Sequence, residues 1–204
     1  MRAVLATLML VSLPVYADKV FAPIPADQTG GKPTGLEMRV VDYKGSTNGA
    51  IEVEVRNPTD HPVEFSAKGI YFVPDGNPDH APQRVGAVGP FQVKSGDQWQ
   101  RQDRTSLAAK STTPMKLDVY CIDSHRGSPS SSTSFHIANT RVPRPVVEAI
   151  DHDAAAAAAP YGGVDKPSAK GSVQSQVWKN RDKKWIRLDG EGKQEAAKSR
   201  AAGE

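Results

Sequence analysis

Residues 50–56, Ala-Ile-Glu-Val-Glu-Val-Arg, decide the fold class of this 204-residue chain. Apolar Ile51, Val53 and Val55 alternate there with charged side chains. Because successive side chains of a strand point to opposite faces, this period of two predicts a strand with one buried and one solvated face. Residues 57–60, Asn-Pro-Thr-Asp, then supply the turn chemistry that ends the strand.

Similar short apolar runs lie on both sides of this strand. They are residues 36–40, 63–65, 69–73, 91–94, 115–122 and 134–138. Turn-forming segments separate them, at residues 46–49, 74–82 and 127–132. About seven short strands between residues 36 and 144, with no helical stretch among them, predict a mostly β domain, namely an antiparallel immunoglobulin-like β-sandwich. An open barrel would give the same pattern.

The composition excludes several classes of protein. Cys121 is the one cysteine of the chain, so neither an intramolecular disulfide framework nor a cysteine-rich metal site can form. The 26 Lys and Arg residues exceed the 23 Asp and Glu residues by a formal charge of +3, which is too small to indicate nucleic-acid binding. The sequence contains no glycine-rich phosphate loop, paired-carboxylate signal or Gly-x-Ser-x-Gly motif. We therefore expect no cofactor and no familiar enzyme activity.

The first 17 residues have the organisation of a secretory signal peptide. Arg2 precedes an apolar run over residues 3–13, and Val15-Tyr16-Ala17 offers a cleavage site after Ala17. The run is shorter than the roughly 20 apolar residues that span a bilayer, and no cysteine follows that could carry a lipid anchor. We expect export to the periplasm, the cell surface or the medium of a bacterium, with no transmembrane segment in the mature chain. A buried N-terminal helix is the alternative.

The flanks of the β domain have a different composition. Residues 18–35 are rich in Pro, Gly, Ala and Thr without periodicity, which predicts a flexible leader. Residues 145–188 predict a helical extension, with an Ala-rich helix over 146–159 and a second helix over 172–178. The polar segment 189–204 predicts a frayed helix or a disordered tail. An unstructured linker after residue 159 is the alternative, against which the two tryptophans 178 and 185 argue.

Cys121 belongs to the strand candidate 115–122 and shares a face with Leu117 and Val119. The simplest interpretation is a small buried hydrophobic residue. A cysteine-dependent enzyme is another, with His125 as the base. In an extended strand, however, a residue four positions away lies roughly 13 Å distant, too far for proton transfer unless the chain folds back.

A third interpretation of Cys121 comes from two short motifs. Tyr120-Cys121-Ile122 resembles the aromatic-or-Leu, Cys, apolar motif of the thioester domains of bacterial surface adhesins. Those domains combine it with a later Thr-Gln-x-Ala-Ile/Val-Trp motif, and residues 173–178, Val-Gln-Ser-Gln-Val-Trp, resemble that second motif. Gln174, Val177 and Trp178 match it, whereas Val173 and Gln176 replace the family's Thr and Ala.

The resemblance implies an internal thioester between Cys121 and Gln174. In that family the cysteine sulfur attacks the glutamine carboxamide, ammonia leaves, and the resulting thioester captures nucleophiles on a host surface without a cofactor. Tyr120, Val177 and Trp178 would be the supporting motif residues. A domain that shares this layout but lacks the bond is the alternative.

A basic stretch follows the second motif. Its members are Lys179, Arg181, Lys183, Lys184 and Arg187. Basic residues among tryptophans are typical of contacts with anionic polymers, which outside the cytoplasm means envelope polysaccharides, lipid headgroups or extracellular DNA. A solvated helix face with the tryptophans packed inward is the simpler interpretation.

No metal site is predicted. Residues 75–79, Asp-Gly-Asn-Pro-Asp, begin like a calcium loop, but His80 stands where glycine is expected and Gly86 where the final glutamate is expected. A polar turn explains this stretch better. The five histidines have no metal-ligand spacing.

These observations favour an exported, non-enzymatic protein with a binding, adhesion or structural role in the cell envelope. Its partner would be a protein or an envelope polysaccharide, and nucleic acid is not expected. Loops on a rigid scaffold usually carry such contacts. The loops over residues 74–89 and 123–134 are therefore the expected contact surfaces. The covalent thioester adhesin and the Cys/His enzyme are the alternatives.

Overall fold

The computed structural model describes residues 20–26, 33–183 and 185–202. The strands are β1 (Ala22–Pro23), β2 (Glu37–Gly45), β3 (Asn48–Asn57), β4 (Val63–Phe65), β5 (Tyr71–Pro74), β6 (Val85–Ala87), β7 (Phe91–Ser95), β8 (Gln98–Gln102), β9 (Thr105–Leu107), β10 (Ser111–Cys121) and β11 (Phe135–Ile137). The helices are α1 (Arg144–Ala158), α2 (Lys170–Asp182) and α3 (Lys193–Ala202). Two short 3₁₀ turns, Ala159–Tyr161 and Pro167–Ala169, lie between α1 and α2.

Residues 50–56 lie inside β3, and the predicted alternation of buried apolar and outward-facing charged side chains is confirmed. Ile51, Val53 and Val55 are buried in the core, while the acidic side chains between them make ion pairs on the other face. Glu54, for example, accepts a hydrogen bond of 2.8 Å from Arg39 of β2. Such half-exposed pairs contribute little to stability, so the buried apolar face determines which way the strand lies.

All strand pairs are antiparallel. The main sheet has the order β1-β2-β3-β10-β6-β5-β11, with β7 paired to β10 and β8 paired to β7, and β4 and β9 form a separate two-stranded sheet. The ring of Tyr43 on β2 lies 4.9 Å from that of Phe135 on β11, edge to face, so the main sheet is nearly closed. The prediction of a mostly β, antiparallel domain with a C-terminal helical extension is confirmed. The immunoglobulin-like sandwich remains a prediction.

β10 separates two apolar clusters. Leu117, Val119 and Cys121 face the interior of the sheet, whereas Tyr120 and Ile122 face a second cluster to which α1 and α2 contribute. Helix α2 contributes to that cluster through its apolar side, and its presence excludes an unstructured linker after residue 159. The end of β10 is therefore covered on both sides, and residues 119–123 are all buried.

The two ends of the described chain differ from the sequence predictions. Within the predicted leader, Ala22 and Pro23 form β1 against β2, because Ile24 is buried there and its N–H donates to the carbonyl of Leu36. Within the predicted polar tail lies α3, which Glu195 attaches to the sheet through ion pairs. The predicted signal peptide, residues 1–17, lies outside the described residues. No helix of the described part is long and apolar enough to cross a bilayer.

Candidate functional site

Cys121 ends β10 beneath the turn between β2 and β3, residues 46–47, which we call the hairpin tip. Its backbone N–H donates to the carbonyl of Thr47 at 3.0 Å, and its thiol donates to the carbonyl of Ser46 at 3.7 Å. The side chain is fully buried. Gly49 is needed beside the tip, since a Cβ there would lie 2.2 Å from the carbonyl oxygen of Lys44. The tip therefore shields the sulfur from solvent.

Gln174 of α2 pairs with the main chain of Cys121. Its Oε1 accepts a hydrogen bond from the N–H of Cys121 at 3.0 Å, and its Nε2 donates to the carbonyl of Cys121 at 2.7 Å. The side-chain carboxamide thus makes with Cys121 the two hydrogen bonds that the main chain of a neighbouring strand would make. Gln174 lies on the buried side of α2 with Val173 and Val177, which brings it to β10 although 53 residues separate it from Cys121.

The surroundings of Cys121 favour the neutral thiol. Burial, and to a smaller extent the charge of Asp123, raises the pKa of the thiol to about 12. Tyr43, whose hydroxyl donates to the carbonyl of Ser46 at 2.6 Å, also has a raised pKa, mainly through burial. At neutral pH the site therefore contains a thiol, a phenol and a primary carboxamide, all uncharged.

The supporting motif residues lie around this pair. Tyr120 and Val177 are buried in the second apolar cluster. Trp178 packs against the sheet interior, and its Nε1 donates to Oε1 of Gln83 at 3.0 Å. The two short motifs, far apart in sequence, therefore come together in one place. A thiol and a carboxamide in a water-poor environment are the two groups from which an internal thioester is made.

His125 is directed elsewhere. Its Nε2 lies 2.5 Å from Oε1 of Glu195 on α3, and its ring lies 6.2 Å from that of Trp185. Among the described residues no hydrogen bond joins His125 to Cys121. The structure therefore does not bring together the base and the nucleophile that a Cys/His enzyme would need.

The members of the predicted basic stretch do not share one environment. Lys179, Lys183 and Arg187 are exposed, and Lys183 donates to Oδ1 of Asn180 at 2.9 Å. Arg181 is buried beside Asp123, with Nη2 3.5 Å from Oδ1. Lys184 lies outside the described residues. The contact with anionic polymers remains a prediction for the exposed members.

Sequence reasoning missed a buried charged cluster next to Cys121. It consists of Arg84, Asp123, Arg126, Arg181 and Glu195. Arg84 is fully buried and donates to Asp123 from its backbone N–H at 3.1 Å, from Nε at 2.6 Å and from Nη2 at 2.7 Å. Nη2 of Arg84 also reaches Glu195 at 3.2 Å, and Arg126 pairs with the same carboxylate. The charged cluster thus attaches α3 to the sheet.

Little in the sequence could have revealed the charged cluster. Arg84 and Asp123 are separated by 39 residues, and Arg84 and Glu195 by 111. The one local signal is that Arg84 and Asp123 directly flank the apolar runs of β6 and β10. Charged residues at strand ends are common on protein surfaces, so this signal does not indicate burial.

The two segments predicted to carry contacts, residues 74–89 and 123–134, meet in the structure, but residues 85–87 of the first are not a loop: they form β6, which is paired on both sides and largely buried. The backbone N–H of Gln83 donates to the carbonyl of Gly127 at 2.9 Å. Together with the start of α3 the loops line an open cavity of about 560 Å³. Its wall carries charges of both signs, with Asp79 and Glu195 facing Arg126 and Lys193. A polar partner is therefore better suited to it than an apolar one.

The calcium-like turn directs its oxygens to protein groups. Asp75 contacts His136 at 2.6 Å, Asn77 accepts from the N–H of Asp79, and Asp79 accepts from the N–H of Lys193 at 2.7 Å. Within the described ranges no group of three His, Cys, Asp or Glu side chains lies close enough to hold a metal ion.

Comparison with known proteins gives no relative from which a role could be transferred. The chain matches no protein-family model, no curated protein and no solved structure. Its function must therefore be inferred from the site itself.

Proposed function

We propose that this protein is an exported, non-enzymatic binding protein of the bacterial cell envelope that attaches to its partner through an internal thioester between Cys121 and Gln174. The observation that carries the proposal is that the Gln174 carboxamide is held at the main-chain N–H and carbonyl of Cys121, at 3.0 and 2.7 Å. The two residues that the resemblance singles out, 53 positions apart in sequence, are therefore neighbours in the fold. The export assignment rests on residues 1–17.

The chemistry balances without a cofactor. The sulfur of Cys121 attacks Cδ of Gln174, the C–N bond breaks, and the thiol proton leaves with the nitrogen as ammonia. A primary amine or hydroxyl of the partner then attacks the thioester, which forms an amide or ester to Gln174 and releases the Cys121 thiol. Since the product stays attached, the protein does not turn over.

Burial has two opposing effects on this reaction. It raises the pKa of the thiol to about 12, which disfavours the thiolate that starts the attack. Against this, two groups of one molecule that reach an attack geometry react at effective concentrations of about 10⁵–10⁸ M, and a side-chain rotation of Cys121 away from Ser46 would have to bring the sulfur to the carboxamide already held at its main chain. The finished thioester would be protected from hydrolysis, because the hairpin tip, Tyr43 and α2 exclude water from both partners.

The proposal includes an immunoglobulin-like sandwich as the scaffold. The wholly antiparallel pairing and the separate β4–β9 sheet support it. Contacts that select the partner would lie on the loops over residues 74–89 and 123–134, which meet around the open cavity. Its mixed charges favour a protein or polysaccharide partner over nucleic acid.

Intact-mass measurement of the mature protein tests the thioester. We expect a mass lower by one ammonia than the sequence requires, no alkylation of Cys121 after unfolding, and restoration by methylamine with a free thiol. Cys121→Ser and Gln174→Glu should both have the unshifted mass. Gln176→Glu is the matched control, because Gln176 lies on the same helix but only half-buried, and it should keep the shift.

An unshifted mass with a thiol that alkylates fully on unfolding would refute the covalent mechanism. The carboxamide of Gln174 would then serve only to hydrogen-bond the end of β10, and a non-covalent binding role would remain. The export proposal has its own test, which is N-terminal sequencing of the protein from a periplasmic or culture fraction. We expect the sequence to begin at Asp18, and an intact Met1 in the cytosolic fraction would contradict it.

A further inference from the structure

A small cavity lies beside the charged cluster, at Arg181. Ser124 and His125 of the loop after β10, Arg181 and Asp182 at the end of α2, and Trp185 and Lys198 line it. Its volume is about 240 Å³, below the roughly 300–1,000 Å³ of sites for drug-sized ligands. The cavity therefore has room for one small ligand, such as a small ion or a single sugar ring.

Arg181 is the unusual member of this wall. The residue is 5% exposed, and its Nε has no hydrogen-bond partner among the described residues. Its one close ionic contact is the 3.5 Å approach of Nη2 to Asp123. Asp123 is already occupied by three shorter hydrogen bonds from Arg84. Arg181 therefore contributes a buried guanidinium whose hydrogen-bonding capacity is mostly unused.

The charges around Arg181 do not balance. The charged cluster contains three guanidinium groups and two carboxylates, an excess of one positive charge with His125 counted as neutral. Lys198 adds a further positive charge at the rim of the cavity. The exposed carboxylate of Asp182, which accepts a hydrogen bond from Ser124 at 2.8 Å, offsets one positive charge. Since an uncompensated buried charge is costly, an anion in the cavity would be favoured.

We propose that this cavity binds a small oxyanion, a carboxylate such as that of an acidic sugar or a phosphate. The guanidinium fork of Arg181 matches the geometry of either group, and Lys198 supplies a second positive charge at the cavity wall. The indole of Trp185, whose Nε1 donates to Ser199 at 2.8 Å, gives one wall an apolar surface on which a sugar ring can pack. The site is independent of the thioester.

The test follows the indole N–H signal of Trp185 by NMR in the full-length mature protein, with the signal assigned through Trp185→Phe. Sodium glucuronate, sodium phosphate and glucose are titrated separately at constant ionic strength. We expect saturable shifts with an anion and none with glucose. Binding of glucuronate alone would identify a carboxylated sugar as the source of the oxyanion, and binding of phosphate would identify a free or headgroup phosphate.

Four variants separate the site from general charge effects. Arg181→Lys keeps the charge but loses the fork, so we expect affinity to fall about tenfold. Lys198→Gln at the exposed rim should also weaken binding and serves if the Arg181 variant does not fold. Lys179→Gln, exposed on α2 outside the cavity, should bind as the native chain does, and so should Cys121→Ser. The proposal is overturned if neither anion binds, if glucose binds equally well, or if all variants behave alike.

Discussion

The Cys121–Gln174 pair and the charged cluster meet at the end of β10, where Cys121 and Asp123 stand two residues apart, but they differ in charge and in linkage. Gln174 pairs with the main chain of Cys121 through two hydrogen bonds, and both partners are neutral. Asp123 is surrounded by guanidinium groups, one of which is incompletely bonded. A neutral buried pair costs little to bury, whereas a charged one depends on every partner remaining in place. We therefore expect the cluster to contribute more to stability than the pair does.

The largest effect expected from this contrast is that of Asp123→Asn. The substitution leaves Arg84 buried without its main counter-charge, and removing one partner of a buried ion pair costs about 3–5 kcal/mol. The free energy of unfolding from denaturant titration measures it. Glu64→Gln is the control, since it breaks the exposed pair with Arg104 and should have no measurable effect. An equal response of the two variants would contradict the assignment of stability to the cluster.

The next effect distinguishes a covalent pair from a hydrogen-bonded one. If Cys121 and Gln174 form a thioester, Cys121→Ala and Gln174→Met each lose a cross-link of about 2–4 kcal/mol. The double variant should then cost little more than either single variant. Denaturant unfolding of the three proteins provides the measurement.

Hydrogen bonding alone predicts a different result. Gln174 contacts the main chain of Cys121, so those bonds survive Cys121→Ala, which should then cost no more than about 1 kcal/mol. Gln174→Met would leave the carbonyl of Cys121 without this donor and would cost about 1–3 kcal/mol. A large difference between the two single variants would therefore count against the thioester.

The smallest expected effect is a dependence of stability on acidic pH. Burial alone would raise the pKa of Asp123, but the hydrogen bonds and charge of Arg84 outweigh it and lower that pKa. The pKa of Glu195 is also lowered, since Arg126 and Arg84 outweigh the effect of its burial. In the unfolded chain these carboxyls titrate near about 3.9 and 4.3.

The sign of the pH effect follows from these directions. With folded pKa values below the unfolded ones, the contribution to stability is present above about pH 5 and is lost as pH falls below about 4 through the folded values. Each unit of pKa difference is equivalent to about 1.4 kcal/mol. The free energy of unfolding, measured between about pH 7 and about pH 3, should fall more steeply for the native chain than for Asp123→Asn. Identical slopes would show that Asp123 does not carry the effect.

Seven of the eleven described strands and the first two helices could be predicted because their signal is local. The alternation at Ile51, Val53 and Val55 is visible in seven residues, and an apolar face has to be buried somewhere. The strands β1, β6, β8 and β9 were not predicted, since each has only two to five residues. For α3 the sequence predicted a frayed helix or a disordered tail. Its segment is rich in strong helix formers, but its place in the fold is set by distant partners, as when Glu195 reaches Arg84 over 111 residues.

By itself the sequence determined the antiparallel β class and the helical extension, since both depend on local spacing and on residue type, whereas Cys121 and Gln174 were singled out by a resemblance to thioester-domain motifs. Only the tertiary structure decided that Gln174 meets Cys121, that His125 pairs with Glu195, and that Arg181 is buried. Those outcomes depend on which surfaces come into contact when α2 and α3 pack on β10. Contacts between distant segments are set by the burial of whole faces, and short motifs do not encode them.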